Sequence, residues 1–115
     1  MPAKLSTHVL DLVSGRPAAG MKIQLLRHDG KDPAALKTIT TNADGRTEAP
    51  LLDAAQLAAG NYELVFHVRD YFVARGVECP LLDQVPVRFS ISDAAASYHI
   101  PLLVTPWSYS TYRGS

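Results

Sequence analysis

Apolar and β-branched residues along this chain gather in short runs, and each run is closed by a turn signal. Leu5–Val13, Met21–Arg27, Leu36–Thr41 and Tyr62–Val68 are strand-sized and rich in Val, Ile, Leu, Thr and aromatics. They are divided by Ser14-Gly15-Arg16-Pro17, His28-Asp29-Gly30, Ala43-Asp44-Gly45 and Ala59-Gly60-Asn61. Val85–Ser92, Tyr98–Thr105 and Trp107–Tyr112 follow. Seven or eight strands at this spacing predict an all-β fold, an antiparallel β-sandwich rather than βαβ units. Arg69–Val77 instead predicts a short helix of about two turns, with Asp70 at its N-cap and Gly76 near its C-cap. Asp53–Ala59 reads as a helical turn or a loop.

The period of two assigns side chains to faces. In Tyr98–Thr105, the residues Tyr98, Ile100, Leu102 and Val104 share one face and should fill the core. His99, Pro101 and Leu103 share the other. In the first strand Leu5, Thr7 and Val9 oppose Ser6, His8 and Leu10. His8 and His99 therefore both fall on faces turned away from the better core set. Such a face is too apolar for idle solvent surface and too polar for core, and reads as an interface or a pocket wall.

Composition narrows the function. The 115 residues and 12.5 kDa fit one domain spanning 1–115, and 47% hydrophobic with 19% charged residues excludes disorder. Eleven Lys+Arg against eleven Asp+Glu leave no basic excess for neutralising phosphates, so no nucleic-acid partner is expected. Near-zero net charge suits a chain that buries surface in an oligomer. The lone Cys79 forms no internal disulfide, no signal peptide is visible, and no apolar run approaches the roughly 20 residues of a membrane span. The expectation is a soluble cytoplasmic protein with no membrane partner.

Of the four histidines, His28 beside Asp29-Gly30 reads as a solvated turn residue and His67 as part of a half-exposed strand. His8 and His99 stand apart because they share the unexplained face, where an imidazole is suited to proton exchange near neutral pH. Arg46 follows the Asp44-Gly45 turn and is expected to begin a short strand. It reads either as a solvated charge or as a planar clamp for an anionic or carbonyl-rich ligand. The closing Tyr112-Arg113-Gly114-Ser115 continues an aromatic strand instead of fraying, and Gly114 there permits close approach of a ligand or neighbouring subunit. There is no glycine-rich phosphate loop, no Gly-x-Ser-x-Gly elbow and no cysteine pair. Cys79 precedes Pro80 with no evident His partner, and the strong metal-ligand spacings are absent, so no metal site is expected.

Three segments then carry a family resemblance. Leu5-Ser6-Thr7-His8-Val9-Leu10-Asp11, Thr41-Asn42-Ala43-Asp44-Gly45-Arg46 and Tyr98 through Ser115 resemble the 5-hydroxyisourate hydrolases, the transthyretin-related enzymes of urate degradation. The likeness covers essentially the whole chain and is most specific at Tyr112-Arg113-Gly114-Ser115, a signature that hormone-carrying transthyretins lack. It implies an eight-strand, two-sheet sandwich with a short helix, assembled as a homotetramer, a dimer of dimers with two active sites per channel where dimers meet. It implies catalytic roles for His8, Arg46 and His99, and substrate binding by His8, Arg46, Tyr112, Arg113, Gly114 and Ser115. The implied reaction is ring opening of 5-hydroxyisourate by water to 2-oxo-4-hydroxy-4-carboxy-5-ureidoimidazoline, with no cofactor. The His8/His99 pair would orient and deprotonate the water, with the choice of base left open. Two rivals share the fold: a non-catalytic carrier of a flat aromatic ligand, and a prealbumin-like structural module.

Overall fold

Alternating apolar positions build two sheets that bury their inner faces against each other. The computed structural model describes residues 2–115. In chain order it contains β1 (Leu5–Asp11), β2 (Arg16–Pro17), β3 (Lys22–Arg27), β4 (Ala34–Thr40), β5 (Gly60–His67), α1 (Val68–Ala74), β6 (Gln84–Ile91), β7 (Tyr98–Val104) and β8 (Tyr109–Thr111). One sheet runs β2-β1-β7-β8 and the other β4-β3-β5-β6. Leu5, Val9, Leu102 and Val104 from the first meet Ile23, Leu25, Leu64 and Phe66 from the second in a shared core. This is the expected all-β sandwich with one short helix.

One strand pair departs from the antiparallel expectation. β1 and β7 run parallel, in register from Leu5 opposite Tyr98 to Asp11 opposite Val104, while the other strand pairs are antiparallel. Alternation of side chains is the same in either direction, so the hydrophobic pattern carried no information on strand sense.

The local elements follow their chemistry with small shifts. α1 starts at Val68, and Asp70 lies in its first turn instead of capping it; the N-cap, His67, makes no side-chain cap bond. The free amides of Val68 and Arg69 are satisfied by the Asp83 carbonyl at 3.2 and 3.1 Å, which removes the need for a side-chain cap. At the other end, Gly76 at φ +74° lets its amide reach the Val73 carbonyl and that of Val77 reach the Phe72 carbonyl. The 53–59 segment is a loop with one turn, closed by reciprocal Asp53 and Gln56 side-chain bonds to each other's amides at 2.9 and 3.0 Å. Arg46 begins no strand, and Trp107 lies in the turn before β8.

A buried carboxylate ties the helix to the site-bearing sheet. Asp11, 3% exposed, accepts the Tyr71 hydroxyl at 2.8 Å and the amides of Val13 and Ser14 at 2.8 and 3.1 Å. Those donors satisfy the lone pairs that burial would otherwise leave unmet.

Candidate functional site

The outer face of β1 and β7 has the mixed character expected of it. Ser6, His8, Leu10, His99 and Leu103 are half-buried, and Pro101, flanked by β1 and β8, is buried. The parallel register sets Ser6 opposite His99 and His8 opposite Pro101, so the two histidines are diagonal neighbours across adjacent strands. Ser6 Oγ lies 2.8 Å from His99 Nδ1.

Arg46 reaches this face from a loop braced against β1. Asn42 Oδ1 accepts the amides of Asp44 and Arg46 at 2.9 and 3.2 Å, and the Asn42 amide donates to the Arg46 carbonyl at 2.8 Å. Gly45, at φ +72°, packs against the Val9 carbonyl with no room for a Cβ, and its own carbonyl accepts the Val9 amide at 2.8 Å. These bonds deliver the exposed Arg46 to a groove of about 170 Å³ whose walls include Lys4, Ser6, Thr47 and Pro50.

The last residues fold back over β7. The Arg113 guanidinium stacks 4.4 Å above the Tyr98 ring and donates to the Ser97 carbonyl at 3.1 Å. That anchor carries the chain to Gly114, whose amide donates to the His99 carbonyl at 2.8 Å. Ser115 lies beside Lys4 and Ser97 on the wall of a wider groove, and Tyr112 stands exposed just past β8. The structure thus gathers His8, Arg46, His99 and Gly114 at one end of the outer face. Arg113 acts there as a strap, and Tyr112 makes no hydrogen bond to the histidines.

Both imidazoles are held below the ordinary histidine range. Burial is the main cause at His8, followed by the Arg46 charge, with Asp44 pulling the other way. Burial again leads at His99, followed by Arg46, His8 and Lys4, with the Ser6 backbone opposing. Desolvation and adjacent positive charge both favour the uncharged ring, so each histidine is a proton acceptor at neutral pH. Among the described residues, no group of three or more His, Cys, Asp or Glu is arranged to hold a metal ion. Ser6 is the site residue that sequence reasoning missed. Its face was legible from alternation, but its pairing with His99 depends on a register across 93 positions of chain.

A two-sheet sandwich with this strand order, bearing a mixed apolar and histidine-lined outer face, defines a transthyretin-type protein. The chain belongs to the HIUase/Transthyretin family, whose family model matches residues 5–114. It is 52% identical to "5-hydroxyisourate hydrolase 2" of Rhizobium meliloti (strain 1021), over 97% of this chain and 96% of that protein. The structure of Klebsiella pneumoniae 5-hydroxyisourate hydrolase matches with a TM-score of 0.84 at 36% identity, over 98% of this chain and 99% of that one. Sea bream transthyretin in complex with thyroxine matches with a TM-score of 0.88 at 25% identity, over 97% and 95%.

Proposed function

We propose that this chain hydrolyses 5-hydroxyisourate to 2-oxo-4-hydroxy-4-carboxy-5-ureidoimidazoline. Full-length identity of 52% to a hydrolase of that name supports the substrate. The observation that carries the chemistry is the placement of His8 and His99 as diagonal neighbours on the outer face, where burial and the Arg46 charge favour their uncharged rings.

Water is a weak nucleophile at neutral pH, so one imidazole of the pair takes a water proton as the oxygen attacks the ring carbonyl. Negative charge grows on the carbonyl oxygen, and Arg46 stabilises it with N–H donors and full charge. The ring C–N bond then breaks, and the imidazolium returns its proton to the departing nitrogen. Atoms balance with water as the only co-reactant, so no cofactor enters. Arg113, Gly114 and Ser115 close one end of the site, and Tyr112 borders it.

The working unit is a homotetramer, a dimer of dimers with two sites per channel. Support comes from the open groove in a single chain and from exposed aromatic surface at the β8 edge, where Trp107, Tyr109 and Tyr112 are 62%, 45% and 58% exposed. A single domain spans 1–115. A cytoplasmic setting fits the free, buried Cys79, and no helix among the described residues is long and apolar enough to cross a membrane.

The test generates 5-hydroxyisourate in situ with urate oxidase and follows its ultraviolet decay with and without the protein. Faster decay that is lost in Arg46→Ala supports the hydrolase. Decay at the spontaneous rate from a verified tetramer overturns it and leaves a carrier of a flat aromatic ligand, as the thyroxine-bound neighbour suggests.

A further inference from the structure

We propose that Ser6 is a positioning residue that holds the His99 imidazole with its proton on Nδ1, leaving the Nε2 lone pair to accept a proton in the reaction. The inference rests on the hydrolase reading above and deepens it.

Two geometric observations converge on the ring. Ser6 Oγ sits 2.8 Å from His99 Nδ1, in a contact made by strands whose register places the two residues directly opposite each other. The Ser6 backbone also pulls the ring's pKa upward, against the burial that lowers it. On the other side, Gly114 lies against the imidazole, so close that an added Cβ would stand 2.5 Å from His99 Cδ2. The ring is therefore gripped between β1 and the C-terminal segment, with little freedom to turn.

A neutral imidazole has one donor and one acceptor nitrogen, and the partner of one fixes the role of the other. If the Ser6 hydroxyl donated to Nδ1, the proton would sit on Nε2, and that nitrogen could not take one from water. With Nδ1–H donating to Ser6 Oγ, Nε2 is the acceptor that general-base chemistry requires. In the reaction His99 Nδ1 keeps its proton, hydrogen-bonded to Ser6 Oγ, throughout, while Nε2 gains the water proton and later releases it to the ring nitrogen that leaves. Ser6 itself neither forms nor breaks a covalent bond.

The experiment reads the tautomer directly. In protein labelled with ¹⁵N-histidine, as the intact assembly, the His99 ring signals are assigned by their loss in His99→Asn. Wild-type His99 should show the Nδ1–H pattern. Ser6→Ala should shift it toward a mixture and lower kcat about tenfold, the worth of one hydrogen bond, with KM changed by less than about twofold. Ser6→Thr, which keeps the hydroxyl, should restore both readouts. An Nε2–H pattern in the wild type overturns the proposal, as does a Ser6→Ala protein with unchanged tautomer and unchanged kcat. Should the wild type fail to accelerate ring opening, the hydrolase reading falls, while the nitrogen shifts still decide what Ser6 does.

Discussion

Gly114 lies directly against the imidazole of His99. Its amide donates to the His99 carbonyl at 2.8 Å, and a Cβ built on it would come within 2.5 Å of Cδ2 and 3.2 Å of Cγ. Its backbone is not in the left-handed region, so glycine is required here for space rather than for conformation. Gly114→Ala must push either the ring or the terminal segment aside. A displacement on the order of 1 Å can cost about 100-fold in rate, so kcat/KM should fall by roughly that factor. Thermal unfolding should shift little, because the clash lies outside the core. A Gly114→Ala enzyme with wild-type kcat/KM would show that the ring tolerates displacement.

His8→Ala and His99→Ala should each lower kcat/KM by about 10²–10⁴, and Arg46→Ala by about 10²–10³. None of the three side chains belongs to the shared core. Each variant should therefore stay folded, with stability changed by less than about 1 kcal/mol. Denaturant melts run beside the rate assay decide the point, and variants that unfold would mark these residues as structural.

The pH profile follows from the lowered histidines. Burial first and Arg46 second favour the neutral rings, so the acid limb of kcat/KM should fall below pH 6.5, the ordinary imidazole value. Arg46→Ala removes a repelling charge, so residual activity should show its acid limb moved up toward 6.5. The same shift affects stability. Unfolded histidines bind protons more readily than these folded ones, so their contribution is present above pH 6.5 and lost as pH falls through the folded values. A limb that stays put in Arg46→Ala would mean that the guanidinium does not act on the pair.

Arg113→Ala removes both the stacking on Tyr98 and the bond to the Ser97 carbonyl. The direct cost in stability should be about 1 kcal/mol, since the strap is exposed. The larger effect should be on activity, because the strap positions Gly114 over His99. Removing residues 112–115 should behave likewise, and wild-type rates in that truncated protein would contradict the role of the segment.

Tyr71→Phe should do the reverse. It leaves a buried Asp11 oxygen without the hydroxyl it accepts at 2.8 Å, which costs about 1–3 kcal/mol. Activity per folded molecule should be unchanged, since Tyr71 is buried against Asp11, whose side chain alternates away from the face that carries His8 and His99. Matching kcat/KM alongside a lowered denaturant midpoint is the expected pair of results.

Much of this was legible in the chain because strands with one buried face write their facing into the sequence. Tyr98, Ile100, Leu102 and Val104 are all buried as alternation required, and His8 and His99 lie on the opposite side. Gly76 marked the end of α1 through its backbone conformation. Long-range pairing was not legible, because alternation is blind to strand sense and to partner. The parallel β1–β7 pair, the Ser6–His99 contact and the docking of the Arg46 loop on Val9 all belong to that class. Asp70 misled because tertiary contact with Asp83 took over the task of a cap. The pairing of Arg113 with Tyr98 brings together neighbours in space whose separation in sequence gives no local signal.

The parallel pairing of β1 with β7 has a consequence for when the site comes into being. At its end β1 pairs with the nearby β2, but along its whole length residues 5–11 pair with residues 98–104, with the whole second sheet and α1 made in between. Closing so large a loop is entropically late, and topologies built on such contacts fold slowly. During synthesis the edge of β1 that faces β7 stays unpaired until nearly all of the chain has emerged. His8 is thus translated early but meets His99 last. Assembly of the face that carries both histidines therefore belongs to the last stage of folding.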